Sequence, residues 1–220
     1  MADYKNGLDT KKQIINAAKK LFYEKGYEET TVSEICRLTG INQGSVYYHF
    51  KTKKNIKHTL AKIVGEDTIR KNYEEARQFT QDVYEVVLLG NFFFWYKFFS
   101  DDHYRKFSIM SFNETLHDDT VWYQELIFSF LHEESVKRNI EDHNENNDAL
   151  NIIAAIGSDV MLVQYFAEHL EKYDYLYVAE YSMKLWSKIF SIDSKFFQLK
   201  IERIKRLLKL VNLNHLECML

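Results

Sequence analysis

Apolar residues recur three and four positions apart along most of the chain, which is the spacing of one face of an α-helix. The first such segment runs from about Asp9 to Lys25, and its apolar face comprises Ile14, Ala17, Ala18, Leu21 and Phe22. The chain has no proline and only seven glycines, and these are the residues that end or weaken helices. No segment shows a convincing strand-like alternation, so the pattern predicts an all-α fold.

The same spacing predicts further helices towards the C-terminus. A fourth helix should begin after Thr52 and run to about Phe79. The others are predicted at residues 81–99, 103–115, 119–139, 148–170, 174–191 and 195–216. The polar run 141–148 is predicted to be a loop, because little in it could be buried.

Residues 31–53 predict two short helices joined by a tight turn. Thr31 and Glu34 have the spacing of a capping box. Gly40 suits a turn through positive φ, and Asn42 can cap the second helix. That helix carries side chains able to reach DNA: Gln43, Ser45, Tyr47, Tyr48 and His49. In a helix–turn–helix, the second helix enters the major groove.

A longer series of motifs surrounds this segment. Lys11–Phe22 ends in a small-small-x-x-Leu-Phe pattern, and it is followed by Gly26-Tyr27, Thr30-Thr31-Val32, Ile35, Gly40-Ile41-Asn42, Gly44–Phe50 and Lys51-Thr52-Lys53. In this order and spacing, the motifs resemble the DNA-binding end of the TetR family of transcription repressors. Cys36 and Thr39 replace small residues of the family, and Gln43 stands where lysine is frequent. Because Gln43 replaces that lysine, the operator sequence is not predicted.

The resemblance and the docking geometry of the motif together imply a set of DNA contacts. These residues are Thr31, Ser33, Gln43, Gly44, Ser45, Tyr47, Tyr48, His49 and Lys53. The Gln43 amide can bond an adenine edge, and Lys53 is expected to reach a phosphate. Phe50 is assigned to the core. Core packing is also the alternative for Tyr47.

Charge is distributed unevenly along the chain. The net formal charge is −3, and it divides into +5 for residues 1–60 and −8 for the remainder. A basic N-terminal part suits phosphate contact at one end of the molecule. The two cysteines and the scattered histidines show no metal-ligand spacing, so no metal or cofactor is predicted.

The chain is predicted to be cytoplasmic and not to involve a membrane. Its first residues are polar and do not resemble a signal peptide. The stretch Val83–Phe99 contains Glu85, Asn91 and Lys97, which makes it too polar for a membrane span of about 20 apolar residues.

Residues 92–99 are aromatic at seven of eight positions. On a helix such a run points in all directions, so part of it packs in the core and part meets neighbours or a cavity. The family resemblance implies a pocket for a small-molecule effector among the middle helices, here for an aromatic or apolar molecule. The predicted lining residues are Phe94, Trp95, Phe98, Phe107 and Trp122. Core packing of the same residues is the alternative.

A single helix–turn–helix contacts one half-site, so a symmetric dimer is expected. The family usually pairs through two late helices, which correspond here to residues 149–170 and 175–190. The predicted interface residues are Ile152, Ile156, Val160, Val163, Tyr181, Leu185 and Ile189. The alternative is that these apolar faces form the core within one chain.

These predictions divide the chain into two domains. Residues 1–55 form an N-terminal three-helix bundle with the helix–turn–helix, and residues 56–220 form a larger helical domain for effector binding and dimerisation. The predicted function is a dimeric repressor of a palindromic operator that a small molecule releases. One alternative is a family member without such an effector, acting as an activator or controlled by a partner protein. The other is a helical enzyme, for which we find no catalytic arrangement.

Overall fold

The structure is a computed structural model that describes residues 2–115, 145–213 and 216. Every regular element within these ranges is a helix, as the sequence predicts. In chain order the helices are α1 (Ala2–Lys25), α2 (Val32–Thr39), α3 (Gln43–Phe50), α4 (Lys53–Ala76), α5 (Val83–Ser100), α6 (Asp102–Thr115), α7 (Glu145–Ala167), α8 (Tyr175–Ile189) and α9 (Ser194–Leu208).

Several predicted helix ends differ from the observed ones, most clearly in α1, α7 and α9. Helix α1 begins earlier than predicted, at Ala2. Helix α7 begins at Glu145, so residues 145–148 are helical and the predicted loop is wrong there. Polar residues fit a first helical turn because its N–H groups lack partners within the helix. Helix α9 ends at Leu208, well before residue 216. The helix predicted at 119–139 lies outside the described residues.

Side-chain caps fix the short helices near the N-terminus. The capping box is confirmed: Thr31 Oγ1 accepts from the Glu34 backbone N–H at 3.2 Å, and Glu34 Oε2 accepts from the Thr31 N–H at 2.9 Å. Gly40 ends α2 at φ 72°, the left-handed region. Asn42 Oδ1 accepts from the Ser45 N–H at 2.9 Å, and this starts α3. Local sequence therefore sets both ends of the turn between α2 and α3.

Two hydrophobic cores share the helix α4. The first lies among α1, α2, α3 and the start of α4, and it also takes Phe107 from α6. Its fully buried members include Ile14, Ala18, Ile35, Ile56 and Leu60. The second surrounds α5, which packs against α4, α6, α8 and α9. The aromatic run of α5 supplies Phe92, Phe93, Trp95 and Phe98 to it, each at most 1% exposed.

The residues of α7 that were predicted to form the dimer interface lie in the protomer's own core. Ile152, Ile156, Val160 and Val163 are at most 2% exposed. They cannot meet a partner subunit, which corrects the prediction for these four. The opposite face of the helix is exposed and apolar instead, at Leu150, Ile153, Met161 and Tyr165. Residues three or four apart share one face of a helix, so both faces of α7 are apolar.

Within the described ranges, one helix is long and apolar enough to cross a membrane by length and composition, at Ala149–Ala167. This is weak evidence for a span, because core helices pass the same test. The buried face of α7 lies in the second core and carries Asp159, which is 8% exposed. Core packing therefore accounts for part of its apolar character.

A buried carboxylate fastens α9 to α5. Glu85 is 0% exposed; its Oε1 accepts from Lys200 Nζ at 3.0 Å, and its Oε2 accepts from Thr80 Oγ1 at 2.7 Å. Arg203 Nε lies 3.2 Å from the same Oε2. Burial lowers the pKa of Lys200, but hydrogen bonds to Asp82 and Glu85 outweigh this and leave it raised. The C-terminal helix is thus tied to the centre of the fold by ion pairs.

We expect Glu85→Gln to lower the free energy of unfolding by about 3 kcal/mol, because it breaks a buried ion pair and turns an amide NH2 group towards one of the two donors, Lys200 or Thr80. Arg203→Gln is the matched control. It removes a partner from the same carboxylate, but Arg203 is 61% exposed, so the loss should stay below about 1 kcal/mol. Urea denaturation of both variants checks this, and equal losses would contradict it.

Candidate nucleic-acid interface and internal cavity

Helix α3 is held from one side and open on the other. Val46 and Phe50 are 1% and 3% exposed and anchor α3 in the first core, which confirms the core assignment of Phe50. Tyr48 is 83% exposed and Tyr47 is 42% exposed. Gln43 is exposed as well. The alternative that Tyr47 packs in the core is therefore wrong. Helix α3 presents a polar and aromatic face to solvent.

The other residues predicted to contact DNA differ in their exposure and in the hydrogen bonds that they already make. Gly44 is exposed, whereas Ser45 and His49 are partly exposed. Ser33 is exposed near the start of α2. Thr31 is exposed too, but its hydroxyl already caps α2. These residues lie on or beside one surface, and their contact with DNA stays a prediction.

An acidic residue near this surface is neutralised within the protomer. Glu34 pairs with Lys25 and accepts from the Thr31 N–H at 2.9 Å. The hydrogen bond from Lys25, followed by those from Thr31, lowers the pKa of Glu34 to about 2. Glu34 thus stays ionised at neutral pH, and its lysine partner offsets the repulsion that it would exert on a phosphate.

Lys53 has an intramolecular role that the sequence did not reveal. Its Nζ donates to the carbonyl oxygens of Tyr27 and Thr30, each at 2.9 Å. It also lies 4.1 Å from the centroid of the Tyr27 ring. A phosphate would have to displace these carbonyls, so the structure favours Lys53 as a positioning residue that ties α4 to the segment between α1 and α2.

Other basic side chains are better placed for phosphate contact. Lys51, Lys54 and Arg37 are exposed, and none pairs with an acid in the described part of the chain. Lys51 directly follows α3, and Lys54 lies in the first turn of α4, where unpaired backbone N–H groups favour anions. The signal in the sequence was the run Lys51-Thr52-Lys53-Lys54, of which only Lys53 was predicted to contact a phosphate.

The second core contains a cavity of about 110 Å³ bounded by α4, α5, α6, α7 and α8. Three of the predicted lining residues border it, namely Phe94, Trp95 and Phe107. Phe98 is 0% exposed and packs in the core without lining the cavity, so its prediction is wrong. Trp122 lies outside the described residues.

The cavity wall also contains residues that the sequence prediction missed. Asp159 and Trp186 border it, and Trp186 Nε1 donates to Asp159 Oδ1 at 3.1 Å. Burial raises the pKa of Asp159 to about 7, although the hydrogen bond from Trp186 lowers it. Burial, and then the nearby Asp159, also raise the pKa of Tyr73. The sequence feature that could have revealed Asp159 is the presence of an aspartate inside the apolar run 152–166.

Helix α6 connects the cavity to the first core. Phe107 borders the cavity and belongs to the first core as well. Further along α6, Ser111 Oγ donates to the Ala61 carbonyl at 3.1 Å. Glu114 then pairs with Lys57 at 2.6 Å and contacts His58 at 3.4 Å. Burial raises the pKa of Glu114, but the hydrogen bonds from Lys57 and His58 outweigh it and leave the pKa lowered.

Comparison with known proteins agrees with this arrangement. The sequence model of the family "Bacterial regulatory proteins, tetR family" matches residues 14–57. The chain is 30% identical over 82 residues to the transcriptional regulator TtgR of Pseudomonas putida, which is 37% of either chain. It is 45% identical over 49 residues to QacR of Staphylococcus aureus, and this covers 22% of the chain and 26% of the relative.

Two longer similarities extend beyond the helix–turn–helix. IcaR of Staphylococcus epidermidis, a negative transcriptional regulator of the biofilm operon icaADBC, is 28% identical over 152 residues, covering 65% of this chain and 77% of IcaR. The solved structure of TylP, a tetR regulator from Streptomyces fradiae, gives a TM-score of 0.54 at 15% identity, over 92% of this chain and 97% of TylP. At that identity the structural likeness shows the fold alone.

The buried anchors of α3, its open polar face and the capped turn before it define a helix–turn–helix DNA-binding protein. Over residues 14–57 the chain matches the TetR family of bacterial regulators, so this part of the chain is similar to the DNA-binding end of that family. The family and these relatives are transcriptional regulators and not enzymes. The alignments with TtgR and QacR span only 37% and 26% of those proteins.

We expect Lys54→Ala to weaken binding to duplexes of every sequence and to reduce the slope of log affinity against log salt concentration by about 0.9, the value for one lost phosphate contact. Lys53→Ala is the matched control. It should leave the slope unchanged and lower the free energy of unfolding by about 2 kcal/mol, because charge-assisted hydrogen bonds to carbonyls are lost.

Fluorescence anisotropy with a random-sequence duplex at several salt concentrations measures both slopes, and thermal melting measures stability. A slope that flattens in Lys53→Ala and not in Lys54→Ala would restore the phosphate contact first predicted for Lys53.

Proposed function

We propose that this chain is a cytoplasmic transcription repressor that binds a palindromic operator as a symmetric dimer. The observation that carries the proposal is the rigid presentation of α3, with Val46 and Phe50 buried and Gln43, Tyr47 and Tyr48 exposed. A major groove accepts such a helix, and exposed amide and hydroxyl groups can bond base edges. The similarity to IcaR, a negative regulator, favours repression over activation.

The dimer interface that we propose lies on the exposed faces of α7 and α8. On α7 it comprises Leu150, Ile153, Met161 and Tyr165, which are 46% to 65% exposed. On α8, Tyr177 and Tyr181 stack on each other with ring centroids 6.2 Å apart, and both are about half exposed. Tyr181 keeps the role predicted from the sequence, and Leu185 and Ile189 are partly exposed beside it. Contiguous apolar surface of this kind marks an interaction site.

We expect Met161→Lys to convert the dimer into monomers, because a two-fold interface repeats the buried charge twice. At about 2 kcal/mol per protomer, dimerisation should weaken by about 4 kcal/mol. Leu199→Lys on α9 is the matched control, since Leu199 is 64% exposed but lies beside Glu85, Lys200 and Arg203 of α5 and α9. It should stay dimeric.

Sedimentation velocity measures the assembly, and binding to palindromic fragments selected from a random pool measures the function. A Met161→Lys protein that remains dimeric places the interface elsewhere. A wild-type protein that prefers no palindrome over random duplex overturns the proposed repressor.

We further propose that a small molecule in the cavity releases the operator. The cavity borders α4 and α6, and α6 is fastened to the part of α4 nearest the DNA-binding helices through Lys57, His58 and Ala61. A ligand that displaces Phe107 would therefore shift α4 and change the spacing of the two α3 helices. An effector can shift this equilibrium only as far as its affinity differs between the two arrangements.

We expect Glu114→Gln to loosen the contact between α4 and α6 and to speed amide hydrogen exchange in residues 53–61 by roughly ten-fold or more, because hydrogen bonds to a charged group contribute about 1.5–3 kcal/mol each. Glu180→Gln is the control, since Glu180 pairs with Lys205 at 2.8 Å on the exposed side of α8. It should leave that segment unchanged. Unaltered exchange in Glu114→Gln would show that this ion pair does not hold α4.

The volume of the cavity favours a second candidate as well. At about 110 Å³ it is smaller than the roughly 300–1,000 Å³ of pockets for drug-sized ligands. A regulator that is controlled by a partner protein and binds no small molecule would need no larger cavity than this one. Ligand-induced stabilisation of the purified dimer separates the two candidates, because only an effector-binding protein gains stability.

A further inference from the structure

The cavity contains one feature that its apolar walls do not explain. Asp159 is the only charged side chain among the described residues that line it. It is 8% exposed, and no described lysine, arginine or histidine pairs with it. An unpaired carboxylate in an apolar interior is unfavourable. The cavity therefore holds an acidic group that has no counterion within the described protein, and burial raises the pKa of this group to about 7, so a bound cation would favour its ionised form.

The two carboxylate oxygens of Asp159 differ in their surroundings. Oδ1 accepts the hydrogen bond from Trp186 Nε1 at 3.1 Å. Oδ2 has no hydrogen-bond partner among the described residues. Trp186 therefore orients the carboxylate while one oxygen can still accept a donor from inside the cavity.

Most polar neighbours in the cavity wall are already engaged with protein groups. Asn72 Oδ1 accepts from Lys97 Nζ at 3.0 Å, and Asn91 Oδ1 accepts from Ser182 Oγ at 3.2 Å. Ser111 Oγ donates to a backbone carbonyl. The carboxylate of Asp159 can therefore still accept a hydrogen bond from a ligand in the cavity.

Aromatic rings make up much of the remaining wall. Trp186, Trp95, Phe94 and Tyr73 all border the cavity together with Asp159. Ring faces attract cations, and the attraction grows when water is excluded. A carboxylate combined with ring faces therefore favours a positively charged ligand over a neutral or anionic one.

The size of the cavity limits that ligand. A cavity of roughly 150 Å³ in a protein core can bind a benzene ring, and this one is about 110 Å³. This cavity is smaller than that one, so a ligand with one ring and a short chain fits only if the walls move outward, and a larger ligand is not expected.

We propose that the effector is a small organic cation, a protonated amine with at most one ring, whose ammonium group pairs with Asp159 while the rings of Trp186, Trp95 and Phe94 enclose its apolar part. This inference rests on the proposed ligand-responsive function and names the chemical class of the ligand. The ammonium supplies a counterion that the described residues do not, and its N–H groups can donate to Oδ2.

The test compares two probes of equal shape and different charge, 2-phenylethylamine and the neutral 2-phenylethanol, by isothermal titration calorimetry on the full-length protein. We expect the wild-type protein to bind the amine at least ten-fold more tightly than the alcohol. Asp159→Asn keeps the shape of the side chain and removes its charge, so it should lose this preference. Glu180→Gln is the matched control: it removes the charge of a carboxylate that pairs with Lys205 on the exposed side of α8, outside the cavity, so it should retain the preference.

Equal affinity for the two probes, no binding of the amine at millimolar concentration, or a preference that survives in Asp159→Asn would overturn the proposal. If Asp159→Asn does not fold, the wild-type comparison of the two probes still decides. Binding of the same preparation to selected palindromic DNA is measured in parallel. A protein that binds this DNA but not the amine refutes only the cationic effector, whereas one that binds no palindrome refutes the proposed repressor.

Discussion

The structure depends on one continuous helix that is buried against two different cores. Helix α4 places Ile56, Leu60 and Val64 in the first core and Ala76 in the second. Its 24 residues span roughly 36 Å, and an α-helix transmits a displacement along its length because each turn is hydrogen-bonded to the next. A shift of α4 in the second core therefore moves the start of the helix, where Lys53 holds the segment that leads into α2.

Helix α6 is the second element that belongs to both parts. Phe107 packs in the first core and borders the cavity, and Glu114 pairs with Lys57 on α4. The second core thus meets the DNA-binding helices through packing and through an ion pair. Packed cores have low compressibility, so a ligand that needs more room than the cavity offers must move one of its walls. The α6 wall is the one attached to the start of α4.

Two of the buried carboxylates, Glu85 and Asp159, differ in their partners. Glu85 has Thr80, Lys200 and Arg203 as partners, and this satisfied cluster holds α9 against α5. Asp159 has one neutral donor and borders empty space. A paired buried charge specifies structure, whereas an unpaired one is retained at a disadvantage to stability. The presence or absence of charged protein partners therefore distinguishes a structural carboxylate from a candidate ligand contact.

The sequence by itself determined the helical class, most helix positions and the helix–turn–helix, because caps such as Thr31, Gly40 and Asn42 act through neighbours a few residues away. The family resemblance, and not helix spacing alone, led to Phe94, Trp95 and Phe107, which border the cavity. Tertiary structure decided which side of a helix is buried when both are apolar: Ile152 and Val160 lie in the core, whereas Ile153 and Met161 face outward. It likewise decided the roles of Lys53 and Asp159, because their partners are distant in sequence, and spacing along the chain carries no information about contacts that only packing creates.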